Sequence, residues 1–308
     1  MNRREFLQGL AAAAGAASFG GCRSLCVDFD GNTTVFISDV HVRPDGYQLE
    51  RFTRVVDEIL KLSPRPKNVV CFGDIAYLRG PVEDYRASRP QFQRLLDAGI
   101  RLTFGMGNHD RRANFLEVWP EYRDRLLMKD FIVSEVDLGP CDLLMLDTLH
   151  EPDTPADEKR GWITDGQFKE RRFAWLKDEM ARRTRPFFLA AHHPINEITD
   201  GNWTALNDLI MTTKTCIGWI HGHDHAWKMG LLGHSKRKWG DNTFKRWLCL
   251  PSTGHWGDIG FAVAHGESGA LRVDYHGLDH YYPVPDKRIP MDDDFVAEKR
   301  GAFMTFHW

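Results

Sequence analysis

Five short clusters of Asp, Asn and His residues are the chemically suggestive part of this chain: Asp39-Val40-His41, Gly73-Asp74, Gly107-Asn108-His109-Asp110, His192-His193-Pro194 and Gly222-His223-Asp224-His225. Imidazole nitrogens mixed with carboxylate and amide oxygens suit first-row metals such as Mn, Fe or Zn. One such cluster is a weak signal, because an isolated Asp-x-His or His-His-Pro is usually surface chemistry or a satisfied core histidine. Here each cluster begins where an apolar run ends, and five in series at such positions are hard to produce by chance.

The apolar runs read as strands: Thr33 to Ser38, Asn68 to Phe72, Arg101 to Met106, Phe187 to Ala191 and Cys216 to Ile220. Helices separate several of them. After Pro44 and Asp45, the residues Leu49, Phe52, Val55, Val56, Ile59 and Leu60 recur at helical spacing, with Pro64 and Pro66 closing the segment. A second helix runs near Tyr85 to Ala98 and stops at Gly99. A third, Gln167 to Arg183, turns Phe168, Trp175, Leu176 and Met180 inward. Phe131 to Leu138 and Leu143 to Asp147 read as two more strands, and polar Glu151 to Gly166 as a surface loop. Short strands follow Ile220 as far as about Tyr275. This alternation predicts an α/β layered fold. In open α/β sheets ligands bind beyond the carboxyl ends of the strands, so the five clusters are expected to converge on one site.

The ordered set Asp-x-His, Gly-Asp, Gly-Asn-His-Asp, His and Gly-His-x-His resembles the calcineurin-like metallophosphoesterase family, matching its ligand types from Asp39 to His225. The resemblance implies two mixed β-sheets packed face to face with flanking helices, a four-layer α/β/β/α sandwich. It also implies two divalent or mixed-valent transition-metal ions. Asp39, His41 and His225 would bind the first, Asn108, His192 and His223 the second, and Asp74 would bridge them. His192 is taken over His193 because the family ligand stands two residues before the Pro. Two metals about 3.5–4 Å apart clamp the attacking and leaving oxygens of an in-line displacement. Against the two carboxylates they leave a net positive site, attractive to a phosphate ester, and a metal-bridging hydroxide is the expected nucleophile.

His109 follows a ligand without being one. The resemblance makes it the group that protonates the leaving oxygen or stabilises the transition state, with Asp110 orienting its ring. Arg43, Arg111 and Arg112 are candidate phosphate contacts, since a guanidinium fork matches phosphate oxygens. His193 and His221 are expected beside the ligands, and His255 to line the pocket or pack. Gly73-Asp74-Ile75-Ala76-Tyr77 has a form shared with purple acid phosphatases, where the Tyr binds ferric iron. With His41 already serving the first metal, Tyr77 is expected to be a pocket or packing residue.

The expected activity is hydrolysis of phosphate esters, of small phosphodiesters or phosphomonoesters. Gly166-Gln167 with Trp175-Leu176 resembles a helix of cyclic-nucleotide phosphodiesterase and acid-phosphatase relatives, which tilts the reading toward small diesters. The alternatives are a metal-holding binding protein without turnover and a pyrophosphatase of nucleotide or lipid intermediates. The substrate partner is a small phosphate ester. A net charge of -3 argues against a nucleic-acid binder that works by bulk positive charge, and no nucleic-acid-specific surface is evident.

At the N-terminus, Arg3-Arg4 precede Glu5-Phe6-Leu7 and an apolar run from Leu10 to Phe19. This resembles a twin-arginine export signal, which makes the export machinery a partner. The small residues before Cys22 resemble a lipoprotein cleavage site, although Phe19 departs from the usual Leu. Lipidation at Cys22 and plain cleavage to a soluble product both stay open. The expected location is that of an exported bacterial protein, periplasmic or anchored on the outer side of the cytoplasmic membrane. Cys71, Cys141, Cys216 and Cys249 sit singly in apolar runs and read as buried thiols. The chain divides into an export region over 1–26, a catalytic domain over 27–275 and an irregular tail over 276–308 packed on that domain.

Overall fold

Strict alternation of side chains through the central strands builds a layered fold. In β1 (Phe29–Ile37), Val35 and Ile37 point to one apolar cluster and Phe36 to another. In β2 (Arg65–Cys71), Val69 and Cys71 face the first cluster and Val70 the second. A period of two is what a strand buried on both faces requires. The structure, a computed structural model, describes residues 29–151, 163–199, 203–233, 244–282, 288–290, 299 and 301–308. The expected export signal and Cys22 lie outside these residues, as does most of the predicted surface loop.

Two mixed sheets result. The first has seven strands. Its path runs β12 (Arg288–Pro290), β11 (Ala270–Tyr281), β10 (Gly257–Glu267), β1, β2 and β3 (Arg101–Phe104), with β13 (Phe303–His307) also paired to β11. The second orders six strands as β4 (Ser134–Asp137), β5 (Asp142–Met145), β6 (Phe187–Ala190), β7 (Cys216–His221), β9 (Lys245–Cys249) and β8 (Lys228–Leu232). Phe36, Val70, Phe188, Ile220, Leu248, Ala262 and Phe306 fill the space between the sheets.

Helices cover the outer faces. On the first sheet lie α1 (Tyr47–Lys61), α2 (Val82–Asp97) and α3 (Arg112–Val118), burying Phe52, Val56, Phe92 and Phe115. On the second lie α4 (Glu170–Arg182) and α5 (Trp203–Thr212), burying Leu176, Met180, Leu206 and Ile210. This is the α/β/β/α sandwich that the family resemblance implies. Among the described residues no helix is long and apolar enough to cross a membrane. Cys71, Cys141, Cys216 and Cys249 are buried free thiols.

The C-terminal end departs from the sequence reading. Residue 275 falls inside β11, and Phe303–His307 is a regular strand rather than irregular tail, registered on β11 from Ala270↔His307 to Asp274↔Phe303. Met304 and Phe306 point into the space between the sheets. A boundary at 275 would therefore cut through the core.

Candidate metal centre

All five clusters arrive at one end of the sandwich. Asp39, Asp74 and Asn108 follow β1, β2 and β3, which are mutually parallel. His192 follows β6 and His223 and His225 follow β7, again parallel neighbours. The backbone turns sharply there. Among the described residues seven non-glycine residues have positive φ, and five are Asp39 (53°), His41 (49°), Asp74 (50°), His223 (74°) and His225 (53°). Asp and His tolerate this left-handed region better than most residues, but it still costs energy. Such strain gathers where side chains must be aimed.

The aim is convergent. His41 Nε2 lies 3.2 Å from His225 Nε2, and His225 Nε2 lies 3.2 Å from Asp39 Oδ1. His192 Nε2 lies 3.2 Å from Asn108 Oδ1, which is 3.1 Å from His223 Nδ1. Asp74 Oδ2 stands between the two groups, 3.5 Å from His41 Nε2 and 3.2 Å from His192 Nε2. Each carboxylate gives one oxygen to a backbone N–H and presents the other. Asp39 Oδ2 accepts from His223 N at 3.1 Å and Asp74 Oδ1 from His109 N at 2.8 Å.

Three of the four imidazoles follow the same rule, while His41 Nδ1 is buried without a hydrogen bond. His192 Nδ1 meets the Phe72 carbonyl at 3.1 Å and His225 Nδ1 the Trp256 carbonyl at 3.2 Å. His223 Nε2 meets Glu197 Oε2 at 3.0 Å. An acceptor at one ring nitrogen favours N–H there, and in the neutral ring the other nitrogen then carries the lone pair. Those lone pairs and oxygens face one another, and Asp39 Oδ1 is buried without a hydrogen bond. Protons or metal cations relieve such an arrangement, and the donor set fits metal ions.

Electrostatics agree. Burial alone would raise the Asp39 carboxyl, yet His225 and His41 hold it well below the carboxylate range. Asp74 is likewise pushed up by burial but held low by His192 and His109. Burial lowers His192, but Asp74 outweighs it and lifts the imidazole to about 9. The carboxylates thus recruit positive charge at the spot where a metal would displace that proton.

Residues 33–227 match the family model described as calcineurin-like phosphoesterase. The chain belongs to the calcineurin-like phosphoesterase family. Among solved structures, this calcineurin-like phosphoesterase is similar to a dimetal phosphatase from Danio rerio at 16% identity and TM-score 0.58, covering 84% of this chain and 98% of that one. It is also similar to PhoD at 12% identity and TM-score 0.58, covering 89% of this chain and 69% of that one. At these identities the likeness speaks for the fold. No curated protein matches the chain.

Around the ligands the calcineurin-like phosphoesterase differs in places from the sequence reading. His109 turns Nδ1 to the Tyr77 carbonyl and Nε2 toward the centre, 3.9 Å from Asp74 Oδ2. Burial, with His41 nearby, lowers its imidazole to about 4. Asp110 does not take the expected place behind that ring. Its carboxylate accepts from the backbone N–H of Gly107, Ile75 and Ala76 and from Tyr85 Oη, tying the second cluster to the third. Backbone demand outcompeted the imidazole for it.

Arg112 is not a phosphate contact. Its Nε and Nη2 fork the Asp147 carboxylate at 2.7 and 2.6 Å, and Nη1 pairs with Glu151. Arg111 donates to the carbonyl of Asp110, and exposed Arg43 lies 4.6 Å over the Tyr77 ring. Tyr77 also meets His255 edge-on, and the His255 ring centre is 4.7 Å from that of His41. His193 bonds Thr148 Oγ1 at 2.8 Å, and His221 turns to the Gly222 carbonyl. Two of the hollows lined by described residues lie near these side chains. One of about 550 Å³ has His223, His225, Trp256, Tyr281 and Tyr282 in its wall. The other, about 700 Å³, lies against Glu197, Trp219, His221 and Trp247. Sequence reading missed Glu197 and Asp147. Asp147 had a signal, being another acid at the end of an apolar strand.

Proposed function

We propose that this protein hydrolyses phosphate esters at two metal ions, one held by Asp39, His41 and His225, the other by Asn108, His192 and His223, with Asp74 shared. The observation that carries this reading is the sharing itself: Asp74 Oδ2 lies within 3.5 Å of a ligand nitrogen from each group. Nitrogen and oxygen donors suit Mn, Fe or Zn. When bound, the metals supply Lewis acidity toward the phosphoryl oxygens.

The chain's own residues do the rest. Asp74 and Asp39 hold the centre's geometry, each locked by a backbone N–H. Asp110 ties the loops that carry Asp74 and Asn108, so both ligands keep their spacing. His109, anchored at Nδ1 by the Tyr77 carbonyl, turns Nε2 to the reaction region and acts on the leaving oxygen. The negative charge of a bound ester beside Nε2 favours the imidazolium form that donation needs. The hollow bordered by His223, His225 and Trp256 is wide enough for a small ester's substituent, of a monoester or a diester. His255 and Tyr77 meet edge-on beside His41. The twin-arginine-like N-terminus adds the proposal that the enzyme works outside the cytoplasm after folding and loading with metal.

The test is a screen of mono- and diesters with protein reconstituted with Mn, Fe or Zn. Turnover that a chelator abolishes and metal restores is expected. Full metal content with no turnover of any ester would favour a metal-holding binding protein instead.

A further inference from the structure

We propose that Glu197 is a positioning residue for the second metal, holding His223 so that its Nδ1, rather than its Nε2, is the ligand atom. The proposal rests on the reading that two metals occupy the centre. Glu197 Oε2 lies 3.0 Å from His223 Nε2, while His223 Nδ1 lies 3.1 Å from Asn108 Oδ1 and 3.2 Å from His192 Nε2. A carboxylate behind a ligating imidazole fixes the tautomer and the ring orientation and raises the nitrogen's basicity.

Two features make this contact matter more for His223 than for the other ligands. His223 is the least buried ligand imidazole, its side chain 17% exposed against 6% for His225 and 0% for His192. Packing therefore constrains it least. His192 and His225 lean on main-chain carbonyls, whereas His223 leans on a side chain that substitution can remove.

Glu197 is itself fixed by the backbone. It ends a short 3-10 turn, Ile195–Glu197, that follows His192-His193-Pro194 directly. The carbonyl of Glu197 accepts from Gly166 N at 2.9 Å, and Thr199 N donates to the Gly166 carbonyl at 3.1 Å. Gly166 sits so close to His193 that a Cβ there would lie 2.8 Å from the ring. The segment carrying Glu197 is thus tied to the loop before α4 and to the residue beside ligand His192.

The experiment uses the full chain and its Glu197→Ala and Glu197→Gln variants, stripped of metal and titrated with Co²⁺. Visible absorption and elemental analysis follow the uptake. The wild type should take up two ions. Glu197→Ala should bind one of them about 10- to 100-fold more weakly and leave the other unchanged. Glu197→Gln should lose less, because its amide oxygen still accepts from Nε2–H. Two ions at wild-type affinity in both variants, or equal weakening of both ions, would overturn the role. Nitrogen-15 NMR of the histidine rings separates this failure from that of the dinuclear reading. A His223 proton on Nε2 that loses its preference in Glu197→Ala supports the positioning role even if the wild type takes up a single ion. A His223 proton on Nδ1 in the wild type overturns it.

Discussion

Gly107 packs directly against the carboxylate of Asp74: a Cβ on Gly107 would lie 2.2 Å from Asp74 Oδ1 and 2.7 Å from its Cγ. The glycine of the third cluster is thus a spatial requirement of the second. With Asp74 as the proposed shared ligand, Gly107→Ala should displace it and reduce metal content at both positions. Overpacking of this kind also costs about 1–3 kcal/mol of stability. Elemental analysis beside thermal unfolding checks this. Wild-type metal content in the variant would mean that Asp74 is free to move without loss of the centre.

The fork between Arg112 and Asp147 should act on stability rather than on substrate binding. Burial raises the Asp147 carboxyl, but Arg112 brings it below the ordinary range. A carboxyl depressed in the folded state contributes stability above its unfolded pKa of about 3.9 and loses it as pH falls through the folded value. Asp147→Asn leaves the Arg112 guanidinium with Glu151 as its remaining carboxylate, which costs about 1–3 kcal/mol at pH 7. The gap between variant and wild type should shrink at pH 3. Urea unfolding at both pH values measures it, and an unchanged midpoint at pH 7 would argue against a structural role.

The clusters themselves were legible because each joins a short-range signal, an apolar strand, to residue types with little other reason to sit there. The continuous apolar runs Val35-Phe36-Ile37 and Phe187-Phe188-Leu189 likewise fit burial on both faces of a strand. What escaped was set by distant partners. Asp110 looked like a neighbour of His109, but Gly107, Ile75, Ala76 and Tyr85 claim its oxygens. Glu197 meets His223 across 26 residues of chain, and no local pattern announces that. β13 did carry a signal, Phe303-Met304-Thr305-Phe306 with Met304 and Phe306 inward, but the surrounding Pro- and Asp-rich sequence obscured it.

His109 offers a test of mechanism apart from metal binding. His109→Ala should keep both metals while hydrolysis of an ester with an alkoxide leaving group falls by about 10²–10⁴-fold. A nitrophenolate leaves without a proton, so its rate should fall little. Equal losses on both substrates with metals intact would make the residue an electrostatic partner of the phosphoryl oxygens instead.

Export is tested in the cell. Replacing Arg3 and Arg4 with Lys should leave the protein in the cytoplasm, because the pathway distinguishes a guanidinium pair from an ammonium pair. Cys22→Ala should release it from the membrane fraction if Cys22 carries lipid. Unchanged fractionation of the Arg variant would remove the twin-arginine assignment.

Metal stoichiometry reads directly whether one carboxylate serves two metals. Elemental analysis of wild type, Asp39→Ala and Asp74→Ala should give about two ions, about one, and fewer than one per chain respectively, because Asp39 Oδ1 lies 3.2 Å from His225 Nε2 but 4.0 Å from His192 Nε2, while Asp74 Oδ2 lies within 3.5 Å of a ligand nitrogen from each group. Full occupancy in the Asp74 variant, or a greater loss from the Asp39 variant, would contradict the account.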